Sequence, residues 1–251
     1  MQELFSFGKT LPEAYHDSLR KLYYEADIVP CPDYNTNQKE VSMTLCVESA
    51  TAEPLISKMF IGGFRELEQY RQEILDGILD FEIEKGNWAY TYHSRMAEQF
   101  PFIIKELKRN PESRRAVIDI RDWRYDSKDG NENPACLQHI QYFIRDSKLH
   151  CKVLFRSNDA CKATFMNAFA LIMLQECFAQ QLGVEPGSYV HRANSYHCYE
   201  KDFDMLKGYV SRIESAKDID DITYDYEDNW KIMMEDTQPE IATIVEELKN
   251  R

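Results

Sequence analysis

Hydrophobic positions along the chain alternate between a helical spacing and a strand spacing. Apolar residues recur at helical intervals over 11–25, 64–79 and 98–110, which predicts three amphipathic helices. The segment 165–181 is apolar on all sides, so it predicts a buried central helix that ends at Gly183.

Short apolar runs between the helices predict strands. They occupy residues 41–47, 116–120, 140–144, 151–155, 189–193 and 196–199. The polar spacer from Arg145 to Lys148 separates two of these runs and predicts a hairpin.

The remaining segments complete a mixed fold. Residues 30–37 are rich in Pro, Asp and Asn and predict a loop, while the acidic residues 217–228 predict a solvated loop. Further helices are expected over 202–215 and after Pro239. Because helices and strands do not alternate regularly and no linker composition occurs, we expect one α+β domain spanning 1–251.

Composition narrows the range of partners. The chain has 251 residues, 43 acidic against 30 basic, and a net charge of −13. This acidity disfavours binding to DNA, although it is compatible with a small pocket for one phosphate. The chain shows no signal-peptide pattern and no apolar run long enough to span a membrane. Its seven cysteines form no CxxC pair, so we expect a cytoplasmic protein with reduced thiols and no metal site.

Basic residues and one cysteine suggest phosphate binding and nucleophilic chemistry. Arg114, Arg115 and Arg156 carry planar, permanently charged groups that suit a phosphate dianion, and Ser157 adds a neutral donor. Cys136 is a candidate nucleophile whose thiolate nearby guanidinium groups would stabilise. Each motif alone is a weak signal, because surface charge or packing explains it equally well.

Three further polar residues suit a nucleoside. Asn167 interrupts an apolar stretch, and its amide can both donate to and accept from the edge of a uracil. His197 and Tyr199 lie two residues apart, so in a strand they face the same side and could hold a sugar hydroxyl. Taken singly, a helix cap or a satisfied core amide explains Asn167, and strand packing explains the other two.

Taken together and in this order, the motifs resemble the thymidylate synthase and pyrimidine hydroxymethylase superfamily, in an archaeal-type or phage-like branch. The resemblance covers about residues 60–205 and is strongest over 110–203, while 215–251 forms a divergent acidic tail. It implies a three-layer α+β subunit that forms a homodimer through a mixed sheet. The sequence departs from the family at two places. Leu137 stands where the family often has His, and the family's N-terminal phosphate-binding arginine loop has no clear counterpart, since residues 33–39 offer only Lys39 as a cation.

The resemblance also implies roles for the phosphate and nucleophile residues. Cys136 resembles the thiolate that adds to C6 of the pyrimidine, which makes C5 nucleophilic toward the one-carbon unit. Arg156 and Ser157 resemble phosphate ligands within the subunit. Arg114 and Arg115 resemble a pair donated across the dimer to the neighbouring phosphate.

Residues around the base and sugar follow the same resemblance. Asn167 resembles the residue that reads uracil, and His197 and Tyr199 resemble the contacts to the ribose 3′-hydroxyl. The other implied roles are water and proton transfer near O4 for Glu66, ordering of the pterin side for Asp159, and proton removal from C5 for Tyr92 rather than Tyr90.

Three functions remain open at this point. The first is a thymidylate synthase that uses 5,10-methylenetetrahydrofolate to convert dUMP to dTMP. The second is a hydroxymethylase on the same nucleotide, in which water completes the reaction. The third is a non-catalytic nucleotide-binding protein, which the presence of both Cys136 and Glu66 disfavours because binding requires neither.

Overall fold

The computed structural model describes residues 1–224 and 229–251. The main element of these residues is a mixed seven-stranded sheet. The strands within these residues are β1 (Glu3–Gly8), β2 (Ile28–Cys31), β3 (Thr36–Val47), β4 (Ile56–Ser57), β5 (Val117–Asp119), β6 (Leu137–Arg145), β7 (Lys148–Asp159), β8 (Glu185–Tyr199) and β9 (Thr223–Tyr224). The main sheet has the order β1-β3-β8-β7-β6-β5, with β2 also paired to β3, and β4 pairs separately with β9. Strand β1 is parallel to β3 and β7 is parallel to β8, while the other pairs are antiparallel.

Helices of very different length surround this sheet. They are α1 (Leu11–Glu25), α2 (Phe64–Leu75), α3 (Phe81–Glu84), α4 (Tyr92–Met96), α5 (Phe100–Arg109), α6 (Trp123–Asp126), α7 (Thr164–Leu182), α8 (Phe203–Ser215), α9 (Trp230–Glu235) and α10 (Gln238–Lys249). Short 3-10 turns occupy Pro32–Tyr34, Ala97–Gln99, Glu200–Asp202 and Ile219–Ile222.

Helix α7 lies at the centre of the core. It packs on β7 and β8, and α2 packs against it in turn. Most of its side chains are buried, because it is apolar on all sides and is covered by the sheet on one side and by helices on the other. The third layer is completed by α9 and α10, which contact α2. This arrangement confirms the three-layer α+β class.

The structure confirms most of the predicted elements and extends several of them. Helix α1 coincides with the predicted helix 11–25, and Gly183 ends α7 with a φ of 70°. The predicted hairpin forms between β6 and β7, where Asp146 and Ser147 both adopt positive φ as a two-residue turn requires. The two runs at 189–193 and 196–199 are one continuous strand, β8, which carries a shift in its pairing with β3 between Val41 and Met43.

Three predictions about the chain's irregular parts were wrong or incomplete. The predicted loop 30–37 contains the end of β2, a 3-10 turn and the start of β3, because its turn needs only Asn35 in the left-handed region (φ 48°). Strand β1 was not predicted. The predicted loop 217–228 buries Ile222 and Thr223 as β9 pairs with β4, and its residues 225–228 lie outside the described residues.

The two faces of the main sheet differ in burial. Along β8, fully buried residues alternate with partly exposed ones, since the helices cover one face only. On β1, Phe5 and Phe7 are 50% and 65% exposed and stack on each other, whereas Leu4 and Ser6 point into the core. The sheet therefore presents one uncovered face that includes aromatic side chains. None of the helices in the described residues is both long and apolar enough to cross a membrane.

Candidate active site

Cys136 lies at the end of a loop that enters strand β6, and Arg156 on the neighbouring strand β7 holds this loop. The Arg156 Nε donates to the carbonyl oxygen of Ala135 at 3.1 Å and its Nη2 donates to that of Pro134 at 2.8 Å. The backbone N–H of Arg156 also donates to the Cys136 carbonyl at 2.8 Å. One arginine thus fixes three consecutive carbonyls beside the thiol.

The guanidinium group of Arg156 keeps donors for a ligand. An arginine side chain carries five N–H donors, of which the loop uses Nε–H and one on Nη2. Both hydrogens of Nη1 and the second of Nη2 form no hydrogen bond with the described residues. Arg156 can therefore hold the loop and bind an anion at the same time.

A buried ion pair supports the loop from the other side. Asp126 has a side chain only 1% exposed, and it accepts from Arg95 at 2.6 Å and from the backbone N–H of Ala135 at 3.2 Å. The guanidinium group of Arg95 in turn lies 3.9 Å from the centre of the Tyr90 ring. Tyr90 is therefore part of the scaffold that positions the loop.

The thiol of Cys136 is partly buried and sits beside a second tyrosine. Burial raises the pKa of Cys136 above its ordinary value, and Arg156 opposes that shift only partly, so the expected stabilisation of the thiolate is outweighed within one chain. The hydroxyl oxygen of Tyr92 accepts from the N–H of Leu137 at 3.3 Å. Burial raises the pKa of Tyr92 as well, so both groups are neutral near pH 7.

Asn167 lies in the first turn of α7 and is 7% exposed. Its Oδ1 accepts a hydrogen bond from the hydroxyl of Tyr70 on α2. Tyr70 is close enough to Tyr92 and Cys136 that ionisation of either group would raise the pKa of Tyr70. Asn167 is thereby linked through Tyr70 to the surroundings of the cysteine.

The ends of β7 and β8 bring the predicted sugar contacts together. Asp159 is the register partner of His197, and the Ser157 hydroxyl lies 3.4 Å from His197 Nδ1. The rings of His197 and Tyr199 meet edge to face with centroids 4.7 Å apart. Burial lowers the pKa of His197, with the charge of Asp159 opposing, so its imidazole is neutral at pH 7.

Asp159 shapes the turn that follows β7. Its Oδ1 accepts from the backbone N–H groups of Cys161 and Lys162, both at 2.9 Å. Its Oδ2 accepts no hydrogen bond from the described residues, so one carboxylate oxygen is available to a ligand. Lys162 forms an ion pair with Asp202 at 2.6 Å.

Among the described residues, Glu66 is bonded at the start of α2 and forms no hydrogen bond with Cys136 or Tyr92. Its Oε2 accepts from the N–H of Gly63 at 2.8 Å and caps the start of α2, while its Oε1 is paired with Arg65. These hydrogen bonds, first that from Arg65, lower the pKa of Glu66 and keep its carboxylate ionised. Arg65 also pairs with Glu240 of α10 at 3.1 Å, so the C-terminal helix takes part in this arrangement.

The two remaining arginines lie on the surface of the chain. Arg114 and Arg115 are both exposed, and their guanidinium groups form no hydrogen bond or ion pair with the described residues. Only their backbones are engaged: the carbonyl of Arg114 accepts from Gln141 at 3.0 Å, and the N–H of Arg115 donates to Ser113 at 3.1 Å. Within the described residues of one subunit, neither guanidinium group bonds to Cys136, Arg156 or Tyr92.

Sequence reasoning missed several residues of this site. Tyr70 is one helical turn after Glu66, and this spacing was the available signal that both lie on one face of α2. The contribution of Arg95 and Asp126 had no local signal, because these residues are far apart in the sequence. Lys39, the expected lone cation of residues 33–39, instead donates to the carbonyls of Tyr23 and Ala26 at the end of α1.

Comparisons with known proteins identify the class of this protein. The sequence model of the thymidylate synthase family matches residues 66–243. A relative from Methanocaldococcus jannaschii, provisionally named a thymidylate synthase, is 31% identical over 213 residues, covering 80% of this chain and 93% of the relative. The thymidylate synthase of Bacillus phage phi3T is 30% identical over 152 residues, covering 60% of this chain and 53% of the phage protein.

A solved structure agrees with the fold. Thermostable thymidylate synthase A from Bacillus subtilis superposes with a TM-score of 0.64 at 18% identity, covering 85% of this chain and 92% of that one. These matches define the class of protein as a one-carbon transferase. The chain belongs to the thymidylate synthase family, which confirms the resemblance seen in the sequence.

Proposed function

We propose that this enzyme transfers a one-carbon unit from 5,10-methylenetetrahydrofolate to C5 of dUMP and reduces it to give dTMP. One observation carries the proposal: Cys136 sits on a loop held by Arg156, beside Tyr92 and near Asn167, in a chain that matches the family over 66–243. The names of the relatives favour the synthase over the hydroxymethylase.

Cys136 acts as the nucleophile in this proposal. Its thiolate adds to C6 of the uracil, the C5–C6 π electrons move toward C5, and a later elimination releases the thiolate. Because the pKa of Cys136 is raised in the isolated chain, its thiol is protonated near pH 7, and additional positive charge in the assembled complex favours the thiolate. Arg156 contributes positive charge on the subunit's own side.

The phosphate is bound by groups from two subunits. The remaining N–H donors of Arg156 and the hydroxyl of Ser157 face it from one chain. The partner subunit's Arg114 and the partner subunit's Arg115 offset the two negative charges of the phosphate. The exposure of this pair and its lack of ion pairs in the described residues support that role.

The base and sugar are recognised by the polar cluster at the ends of β7, β8 and α7. Asn167 pairs with the uracil edge, and the neutral His197 with Tyr199 holds the 3′-hydroxyl. Tyr92 stays protonated, so it orients water near C5 rather than acting as an anionic base. Glu66 stays ionised and accepts a proton or a water hydrogen bond on the O4 side.

The folate supplies the one-carbon unit and the hydride. The free Oδ2 of Asp159 fits a hydrogen-bond donor on the pterin, because the same residue already orders the turn through Oδ1.

The functional unit in this proposal is a homodimer of one domain spanning 1–251. The uncovered sheet face with Phe5 and Phe7 is the surface through which two subunits pair. All seven cysteines are free, which suits a reducing compartment such as the cytoplasm.

Product analysis tests the reaction. The full chain is incubated with dUMP and 5,10-methylenetetrahydrofolate, and the products are identified by mass. We expect dTMP with dihydrofolate, whereas 5-hydroxymethyl-dUMP would establish the hydroxymethylase and no turnover would refute both. Cys136→Ala should abolish turnover, and Cys177→Ala on α7 serves as the matched control that should retain it.

Subunit mixing tests the shared site. Arg114→Ala/Arg115→Ala subunits and Cys136→Ala subunits are each expected to be inactive. A mixed population should regain activity, because one of its two sites then has both an intact cysteine and an intact arginine pair. Absence of recovery in a sample that native mass spectrometry shows to contain mixed dimers would contradict the donation across the interface.

A further inference from the structure

The contact between Tyr70 and Asn167 joins two rigid helices at the candidate base-binding position. Tyr70 lies in the middle of α2 and Asn167 in the first turn of α7, and the two helices pack against each other in the core. The tyrosine hydroxyl donates to Oδ1 of the amide. The rotation of the Asn167 side chain is therefore coupled to a neighbour outside its own helix.

The same contact determines which amide atom remains available. Nδ2 of Asn167 donates no hydrogen bond to the described residues. It is also not one of the fully buried polar atoms that lack a partner among these residues, so a ligand can reach it. A phenol is a better donor than acceptor, and an amide oxygen is the better acceptor of the two amide atoms, so the phenol selects Oδ1. Burial raises the pKa of Tyr70 well above its ordinary value, so its hydroxyl keeps its proton.

We propose that Tyr70 is a specificity-determining positioning residue, whose hydroxyl orients the Asn167 amide so that an N–H donor meets position 4 of the pyrimidine. The proposal rests on the proposed function. It deepens that function by naming the residue that makes the site prefer a 4-oxo nucleotide over a 4-amino nucleotide.

The preference follows from hydrogen-bond complementarity. A 4-oxo group accepts from Nδ2, and the second lone pair of Oδ1 still accepts from N3–H of the uracil. A 4-amino group would instead place its own N–H donors against those of Nδ2, which leaves buried donors unpaired. Without the Tyr70 hydroxyl, the amide can turn over and present Oδ1 to a 4-amino group.

Equilibrium binding of dUMP and dCMP tests the proposal without folate or turnover. Calorimetry on the full chain gives both dissociation constants for wild type and Tyr70→Phe, which preserves the ring. Removing one hydrogen bond should lower the preference for dUMP over dCMP by about threefold to tenfold. Tyr209→Phe on α8, which removes a hydroxyl from another partly buried tyrosine, should leave the preference unchanged.

A double-mutant cycle separates orientation from general packing. In the Asn167→Ala background, Tyr70→Phe should not change the ratio further, since no amide remains to be oriented. An unchanged ratio in Tyr70→Phe, or a further change in the Asn167→Ala background, would overturn the role of Tyr70 while leaving the proposed function intact. A wild-type chain that binds neither nucleotide would overturn the proposed function and this inference with it.

Discussion

Replacement of Arg156 by lysine tests whether the shape of the guanidinium group, and not only its charge, builds the site. Arg156 reaches two successive carbonyls, at 3.1 Å from Nε and 2.8 Å from Nη2. A lysine keeps the positive charge, but its single ammonium cannot reproduce the planar fork that serves both carbonyls. One charge-assisted hydrogen bond to these two carbonyls is therefore lost.

The magnitude follows from that count. A hydrogen bond to a charged group contributes about 1.5–3 kcal/mol, so Arg156→Lys should lower the free energy of unfolding by about 2 kcal/mol. For a chain of this size that corresponds to a fall in Tm of about 4–8 °C. Circular dichroism against temperature measures it, and calorimetry with dUMP should show a parallel loss of affinity.

A matched substitution provides the control. Arg124 pairs with Asp122 at 2.7 Å, but its side chain is 68% exposed. Exposed pairs contribute little, so Arg124→Lys should change the free energy of unfolding by less than about 0.5 kcal/mol. A Tm for Arg156→Lys that equals that of Arg124→Lys would refute the view that the fork of Arg156 holds the cysteine loop.

Three further predictions follow from ionisable groups. Because burial raises the pKa of Cys136, its alkylation by iodoacetamide in the nucleotide-free enzyme should still be accelerating above about pH 8.5, and a plateau below pH 8 would contradict this. Burial lowers the pKa of His191 to about 3, so unfolding takes up a proton between about pH 3 and 6.5, and the free energy of unfolding decreases as the pH is lowered through this range. In urea titrations at pH 5 to 6, the slope of the free energy of unfolding against pH should be about 1 kcal/mol per pH unit smaller in His191→Gln. Arg65 lowers the pKa of Glu66, so Arg65→Met should move the acid limb of kcat/KM to higher pH, and an unmoved limb would count against Glu66 as an ionised participant.

The sequence predicted those parts of the fold in which one face of an element is apolar. Helix α1 follows its hydrophobic stripe and begins at a capping box, in which Thr10 accepts from the N–H of Glu13 at 3.4 Å and Glu13 accepts from that of Thr10 at 3.0 Å. Strand β1 escaped prediction for a related reason. Its aromatic residues Phe5 and Phe7 face outward, while the small polar Ser6 is buried. The hydrophobic pattern of β1 therefore does not indicate which face packs on the core.

The site was predictable only where residue type and order carry information. Cys136, Arg156 and Asn167 could be chosen because their chemistry suits a nucleotide and their order resembles that of the family's motifs. The use of Arg156 as a holder of the loop could not be predicted, since its partners are backbone carbonyls and every residue has one. The same holds for Glu66, whose cap at Gly63 depends on the local path of the chain.

Spare positive charge explains why a second subunit is needed in the proposed site. The chain has a net charge of −13, and three cations of its sheet and of the turn after β7 are already engaged: Lys39 with the end of α1, Lys162 with Asp202 and Arg192 with Glu3. A phosphate dianion facing Arg156 alone would therefore remain undercompensated. Arg114 and Arg115 form no such pairs in the described residues and lie on the surface, so their charge can be delivered outside their own subunit. The acidity of the chain and the proposed sharing of the site across the dimer are thus two consequences of one distribution of charge.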